Sequence, residues 1–302
     1  MLNEVRRSFA RHHGPTWLVA AAVYGGFAAL TLAHERLPLP VLAVLGGIVI
    51  ALHGSLQHET IHGHPGGARW IAPALGAPPL SLWLPYPIYR DSHHLHHATA
   101  HLTDPAHDPE APFRLGRALG REGPLVQAVD AALATIAGRL LLGPFLEIGA
   151  FLARELGAVR RGRNRRVWLH HLALVLPLLG WVCLVAGMPL WKYLLAFVYP
   201  GTSLGLLRSF AEHRPDPSPA RRTVVIEAGL FFRLLFLNTN HHAVHHRLPR
   251  VPWFALPRVW RRERADLTAR APDLVLPGYG PLLLRHALRP RTKSYIMTAT
   301  SL

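Results

Sequence analysis

The sequence predicts an all-α integral membrane protein: four transmembrane helices in two hairpins, interfacial helices, and a cytoplasmic histidine-box di-metal site. Three observations carry this. Half of the 302 residues are hydrophobic and only 17% are charged, against roughly 25% charged in an ordinary soluble domain. Four apolar stretches are long enough to cross a bilayer, which needs about 20 residues. Three histidine clusters, His58-Glu-Thr-Ile-His62, His93-His-Leu-His96-His97 and His242-Ala-Val-His245-His246, each follow or lie near a long apolar segment.

The first span, about 16–34, carries no formal charge over 16–33 and follows Arg6, Arg7 and Arg11. A cleaved signal peptide would have a shorter apolar core and a small-residue cleavage site, which His34-Glu-Arg-Leu-Pro does not resemble. The second span, about 37–57, leads directly to His58. The third and fourth lie at about 167–187 and 189–210, with Lys192 expected to snorkel outward at one end of the fourth and Arg208 near the other. Segment 71–89 is uncharged but holds Pro73, Pro78, Pro79, Pro85 and Pro87. Proline breaks helices, so this segment reads as interfacial or re-entrant, and its Trp83, Tyr86 and Tyr89 as an aromatic belt in preference to the wall of a substrate tunnel. Segment 125–156, broken by Asp130, Arg139, Gly143-Pro144, Glu147 and Arg154, predicts two amphipathic surface helices. Segment 222–237 reads the same way. No repeat or second domain is evident, so 1–302 reads as one domain whose last part, about 258–302, is a cytoplasmic tail folded over the site.

Charge gives the sidedness. Of 33 basic residues only Lys192 and Lys293 are lysine, so the net charge of +16 is nearly all arginine. The arginines fall between apolar spans, which points to the positive-inside bias and anionic lipid headgroups rather than to nucleic acid. No span separates the first cluster from the second, and two separate the second from the third. All three therefore share one side, with the amino terminus, the basic loop at 160–166 and the Arg-rich tail. By the positive-inside rule that side is the cytoplasm, expected here to be that of a bacterial inner membrane. The single Cys183 excludes an intramolecular disulfide framework and a cysteine metal cage.

Residues at i, i+3 and i+4 share a helix face. His58 with His62, His93 with His96 and His97, and His242 with His245 and His246 therefore point together. Eight imidazoles exceed the four ligands of a zinc ion and suit two metals side by side. Imidazole serves iron, zinc, copper or nickel, and residue chemistry alone leaves that choice open. Glu59, Asp91 and Glu212 are expected to accept the outer ring N–H groups and fix the tautomers, ahead of Asp104, Asp108 and Glu110. His64, His94 and His241 adjoin the clusters but point off the shared faces. His101 and His107 lie in a polar loop, His170 and His171 at the headgroup level, and His53 inside the second span. His58-Glu59-x-x-His62 is also the zinc-protease pattern, with Glu59 as general base. A protease needs only one more ligand, leaving two clusters unexplained. A metal carrier would instead string its ligands along a path through the spans.

The set H-x3-H, H-x2-HH, H-x2-HH over paired membrane hairpins resembles the membrane fatty acid desaturase family, which includes related hydroxylases and carotenoid ketolases. The likeness covers roughly residues 16–257. Thr103-Asp104-Pro105 and Asp108-Pro109-Glu110 resemble the acidic run that follows the second box. Asn238-Thr-Asn resembles the lead-in to the third. Arg208-Ser-Phe-Ala-Glu-His213 resembles a helix end that carries an extra ligand, which implies His213 as a ninth. Where some relatives carry Asn, this chain has Ser209, whose hydroxyl is expected to hold a metal-bound water. The resemblance implies a di-iron oxidase using O2 and two external electrons to oxidise an unactivated C–H bond of a lipid or fatty acyl chain, most simply as a desaturase. The chain carries no Gly-rich dinucleotide motif and no cysteine cluster. Electrons are therefore expected from a separate donor such as a ferredoxin and its reductase, docked on the basic face.

Overall fold

The structure is a computed structural model that describes residues 13–104, 106–111, 120 and 123–291. Arg6, Arg7, Arg11, Pro105 and Lys293 lie outside the described residues. Four helices are long and apolar enough to cross a membrane: α1 (Gly14–Leu32), α2 (Leu39–Ile61), and the continuous helical stretches Arg165–Val185 and Leu190–Glu212. At 1.5 Å per residue their 19 to 23 residues run about 28–35 Å, the thickness of a bilayer's hydrocarbon core. Between α2 and the third long stretch come α3 (Ile71–Gly76), α4 (Tyr86–Ala98), α5 (Pro124–Leu133), α6 (Ile136–Leu141) and α7 (Gly143–Arg160).

The third long stretch is α8 (Arg165–Gly180) continued by a π-helical stretch, Trp181–Val185. The fourth is α9 (Leu190–Tyr193), a π-helical stretch Leu194–Val198, and α10 (Tyr199–Glu212). Each π-helical stretch lies within a few residues of a proline, Pro177 or Pro200. At Pro200 the proline removes the i→i−4 bond and clashes with that carbonyl, and a wider turn relieves both; Pro177 precedes its π-helical stretch, so the same relief does not apply there. The carbonyl concerned at Pro200 is that of Ala196, and Gly46 of α2 packs against it: a Cβ built on Gly46 would lie 2.4 Å from Ala196 O. Gly47 against Pro200 and Gly201 against Ile50 complete the crossing, with built Cβ distances of 2.8 and 2.3 Å. Small residues let two helix backbones approach closely inside lipid, so this crossing sets α2 and α10 side by side.

Two loops meet at the end of the bundle away from the histidines. His34 Nε2 lies 3.2 Å from Ala186 O, and Lys192 Nζ donates to His34 O at 2.9 Å and lies 3.1 Å from its Nδ1. Lys192 does not snorkel outward as the sequence suggested, because these acceptors lie within its reach.

Other expectations need correction. Segment 125–156 forms three helices, not two, since Thr135 caps a new helix through Gly138 N at 3.0 Å and Gly143-Pro144 starts another. Segment 222–237 is not one amphipathic helix. Its β-branched run at 223–226 favours extended backbone and forms β1 (Val225–Ile226), followed only by the short α11 (Leu230–Leu235). After α12 (His242–Arg247) and α13 (Leu256–Arg270), the chain returns as β2 (Val275–Leu276), parallel to β1, and the last helix among the described residues is α14 (Tyr279–His286). The described part of the tail does fold back: Arg291 Nη1 donates to the carbonyls of Ala211 and His213 at 3.1 and 2.9 Å, and also to that of Phe210.

Candidate metal centre

α2 runs on through the first box, so His58 and His62 fall in its last turns. α4 carries the second box, α12 the third, and His213 caps the C-terminus of α10. Local chemistry holds these ends together. Leu237 and Asn238 take positive φ values of 47° and 55°, a conformation in which asparagine is at ease. Asn238 Nδ2 donates to Trp253 O at 3.1 Å, and Asn240 Nδ2 to Ile226 O at 2.6 Å. The third box is thereby fastened to β1. Ser55 Oγ donates to Leu235 O at 2.8 Å, joining α2 to α11.

The nine histidines fall into two groups, each with one nitrogen per residue within 4.8 Å of the others: His58, His62, His93, His97 and His245, and His96, His213, His242 and His246. In the first group His93 Nε2 lies 3.1 Å from the Nε2 atoms of both His62 and His97, and His97 Nε2 lies 3.1 Å from that of His245. In the second, His242 Nε2 lies 2.8 Å from that of His213 and 3.0 Å from that of His246. Both nitrogens of the buried His58 lack a partner, and its ring centre is 4.6 Å from those of His93 and His245.

These facts fit metal ions. A neutral imidazole has one N–H and one lone pair. His93 Nδ1 donates to Glu110 at 3.0 Å and His96 Nδ1 to Asp108 at 2.8 Å. Their inward Nε2 atoms are therefore bare lone pairs. A metal–nitrogen distance of about 2.0–2.1 Å separates neighbouring ligands at right angles by about 2.9 Å, close to the spacings seen.

The surroundings favour neutral rings. Burial, then neighbouring imidazoles, lowers His97 to about 3 and holds His213, His242, His245 and His246 well below the ordinary range. Burial also lowers His93 despite Glu110. His96 goes the other way: burial lowers it, but its hydrogen bond to Asp108 and the charges of Glu110 and Asp108 raise it overall. Burial would raise Glu110, yet its pairing with His93 pulls it below the usual carboxylate range.

The carboxylates sort differently from expectation. Asp108 and Glu110, ranked behind, hold His96 and His93. Asp91 stays away: it is exposed and pairs with Arg90 at 2.8 Å. It sits two residues before His93, on another face of α4. Glu212 Oε1 accepts from Thr239 at 3.0 Å, and its Oε2 lies 3.2 Å from His242 Nδ1, off the line of a hydrogen bond. Glu59 accepts from Trp253 N at 3.2 Å. Arg208, read from sequence only as a span-end cation, sits 3.5 Å from Glu212 and hydrogen-bonds Tyr89. Its i,i+4 spacing to Glu212 was the available signal.

His64, His94 and His241 stay out of both groups, with His241 stacked on Trp260. His101, Asp104 and His107 form a separate, more exposed group. His171 is buried and bonded to Leu82 O at 2.7 Å.

A cavity of about 260 Å³ lies beside this site, lined by residues of α2, α4, α7 and α10 but by none of the nine clustered histidines. Its wall includes Ile50, Gln57, Phe151, Thr202, Glu110 and Arg208. Ser209 lines it, as do Trp83 and Tyr89, so these two aromatics wall a cavity rather than form a belt. Tyr86 is buried, its hydroxyl 3.0 Å from Thr60 Oγ1.

No curated protein matches the chain. The fatty acid desaturase profile matches it over residues 35–274, starting after α1 and so later than the likeness read from the boxes. That match takes in all nine clustered histidines and three of the four long apolar helices. The chain belongs to the fatty acid desaturase family.

Proposed function

We propose that the protein is an integral membrane, O2-dependent di-iron oxidase that inserts a double bond into a fatty acyl chain. The observation that carries this reading is the division of nine histidines into groups of five and four at one end of four long apolar helices. Five donors exceed what a structural zinc takes. His58, His62, His93, His97 and His245 would hold one iron, and His96, His213, His242 and His246 the other. Bound there, the irons supply O2 activation at a C–H bond.

The chain's own residues supply the rest. Asp108 and Glu110 keep the protons of His96 and His93 on their outward nitrogens, so the inward lone pairs stay free. Glu212, held by Thr239, places its charge 3.2 Å from His242 Nδ1 without a hydrogen bond to it. Arg208 balances the buried carboxylates. The cavity shares Glu110 and Arg208 with the site, and its apolar wall at Ile50, Leu206 and Phe236 suits a lipid chain. The meeting of His34, Ala186 and Lys192 at the far end supports two hairpins, and the arginine-rich loops support a cytoplasmic side for the histidines and both termini. A separate ferredoxin, re-reduced by its reductase, would dock on the exposed arginines of α13 and pass two electrons to the metal centre.

The test is expression in a bacterial host of known lipid composition, with mass spectrometry of acyl double bonds and hydroxyls. New double bonds that vanish in His245→Gln are expected. New hydroxyl or keto groups in their place would assign a hydroxylase or ketolase. Unchanged lipids, with one zinc and no iron bound, would overturn the oxidase reading.

A further inference from the structure

The loop after the second box holds a further set of metal-type donors, apart from the nine histidines. His101, Asp104 and His107 each offer one donor atom within 4.8 Å of those of the other two. Asp104 Oδ2 lies 2.7 Å from His107 Nδ1, and the ring centres of His101 and His107 are 4.7 Å apart with their planes inclined by 35°. The backbone prepares this meeting. Asp104 N donates to His101 O and His107 N to Asp104 O, both at 3.0 Å, so two successive turns share Asp104. A turn of this kind brings its first and fourth residues within about 7 Å of each other. Ala106 N donates to Asp104 Oδ1 at 2.9 Å, which leaves Oδ2 on the imidazole side.

Asp104 and His107 alone would be a surface pair of little worth. The second imidazole changes the chemistry. Two ring nitrogens and a carboxylate oxygen, with water in the fourth position, make up a zinc tetrahedron. Ligands about 2.0–2.1 Å from such an ion stand about 3.3 Å apart. The side chains of His107 and Asp104 are 57% and 39% exposed, so they can rotate to that spacing without moving the backbone. Calcium and magnesium favour all-oxygen shells, and zinc outranks ferrous iron on nitrogen and oxygen donors. We propose that His101, Asp104 and His107 bind a divalent ion of the zinc class, a third metal site outside the nine-histidine centre. Asp108 N donates to Asp104 O at 2.8 Å, so an ion here braces the loop that brings Asp108 to His96 and Glu110 to His93. The site does not depend on which metal fills the centre or on the oxidase reading.

Zinc alone tests it. Detergent-purified protein with its centre loaded is dialysed against micromolar zinc chloride. One portion goes to elemental analysis. Another is treated with diethyl pyrocarbonate, which modifies accessible imidazoles, and the modified peptides are quantified by mass spectrometry. Zinc should shield His101 and His107 together and leave the exposed His170 reactive. One zinc per chain should be found beyond the metals of the centre, lost in His101→Ala and His107→Ala and kept in His170→Ala. Shielding is read on the unaltered protein, so it decides the matter even where an alanine variant fails to fold. Reactivity of His101 and His107 that zinc leaves unchanged overturns the site. Extra zinc retained by folded His101→Ala and His107→Ala overturns its assignment to these residues.

Discussion

Asp108 accepts the Nδ1–H of His96 at 2.8 Å with one carboxylate oxygen and the backbone N–H of Thr103 at 2.8 Å with the other. The first oxygen also takes Glu110 N at 2.9 Å. One buried side chain thus shapes the loop after the second box and sets the tautomer of an imidazole. It also places Glu110 for His93.

Asp108→Asn should therefore lower iron content or activity by about 10- to 100-fold, the usual cost of losing a partner of a metal-bound histidine. Asp91→Asn, at the exposed residue paired with Arg90, should leave both near wild type. Elemental analysis of the two purified variants makes the comparison, and equal iron in both would remove Asp108 from the centre.

Arg208 lies between buried carboxylates, 3.5 Å from Glu212. Arg208→Met leaves Glu212 without its cation, a loss of about 3–5 kcal/mol for a buried pair. A clear drop in melting temperature is expected, partly restored in Arg208→Lys. A melting temperature unchanged in the methionine variant would mean that the carboxylates are held by the histidine side alone.

Close helix approach at Gly201 gives a packing prediction. A Cβ there would lie 2.3 Å from Ile50 Cβ, whereas none would touch anything within 4 Å at Gly25. Gly201→Val should abolish folded protein in detergent, and Gly25→Ala should not. Monodisperse Gly201→Val protein with full iron would show that α2 and α10 can separate without harm.

Acid should release the metals. Burial depresses at least six imidazoles, His93, His97, His213, His242, His245 and His246, below the unfolded value of about 6.5. The unfolded state then binds more protons, so stability present above that value falls as pH drops toward the folded values. His96 has the opposite sign, its raised value adding stability below 6.5 that is lost as pH rises; one group against these leaves acid destabilising. Protons also compete directly with metal for the same nitrogens. Iron content and melting temperature should both decline from about pH 7.5 to about pH 5, and flat profiles would contradict neutral buried ligands.

Sidedness is open to direct measurement. Reporter fusions after Arg163 and Arg261 should read cytoplasmic, and one after Gly187 the opposite side. A non-cytoplasmic reading at Arg163 would require 125–156 to cross the bilayer and would place the second and third boxes on different sides.

The four spans were legible because length and apolarity are local properties, and the observed helices differ from the expected ones by a few residues at each end. The histidine boxes were legible because i, i+3 and i+4 spacing converts directly into a shared face. The supporting carboxylates were harder. Asp91 is near His93 in sequence but on another face, while Asp108 and Glu110 reach the rings through a returning loop whose course no periodicity announces. Segment 222–237 was misjudged for a related reason. Its backbone is claimed by partners far along the chain, with Val224 N bonded to Glu212 O at 3.1 Å and Ile226 N to Asn240 O at 2.8 Å. Trp83 looked like a membrane-surface aromatic because composition does not reveal a cavity.

Neighbouring residues of α4 belong to different groups, His96 to one and His97 to the other, and the ring of His97 stacks on His246 at 4.3 Å across the divide. Consecutive helical residues are turned by about 100°, so the gap between the two nitrogen clusters is gauged by a single rigid turn rather than by any loop. Loops of any length can be tolerated elsewhere, whereas one inserted residue within α4 would rotate both imidazoles out of phase and disable both halves at once. The two halves therefore stand or fall as a unit.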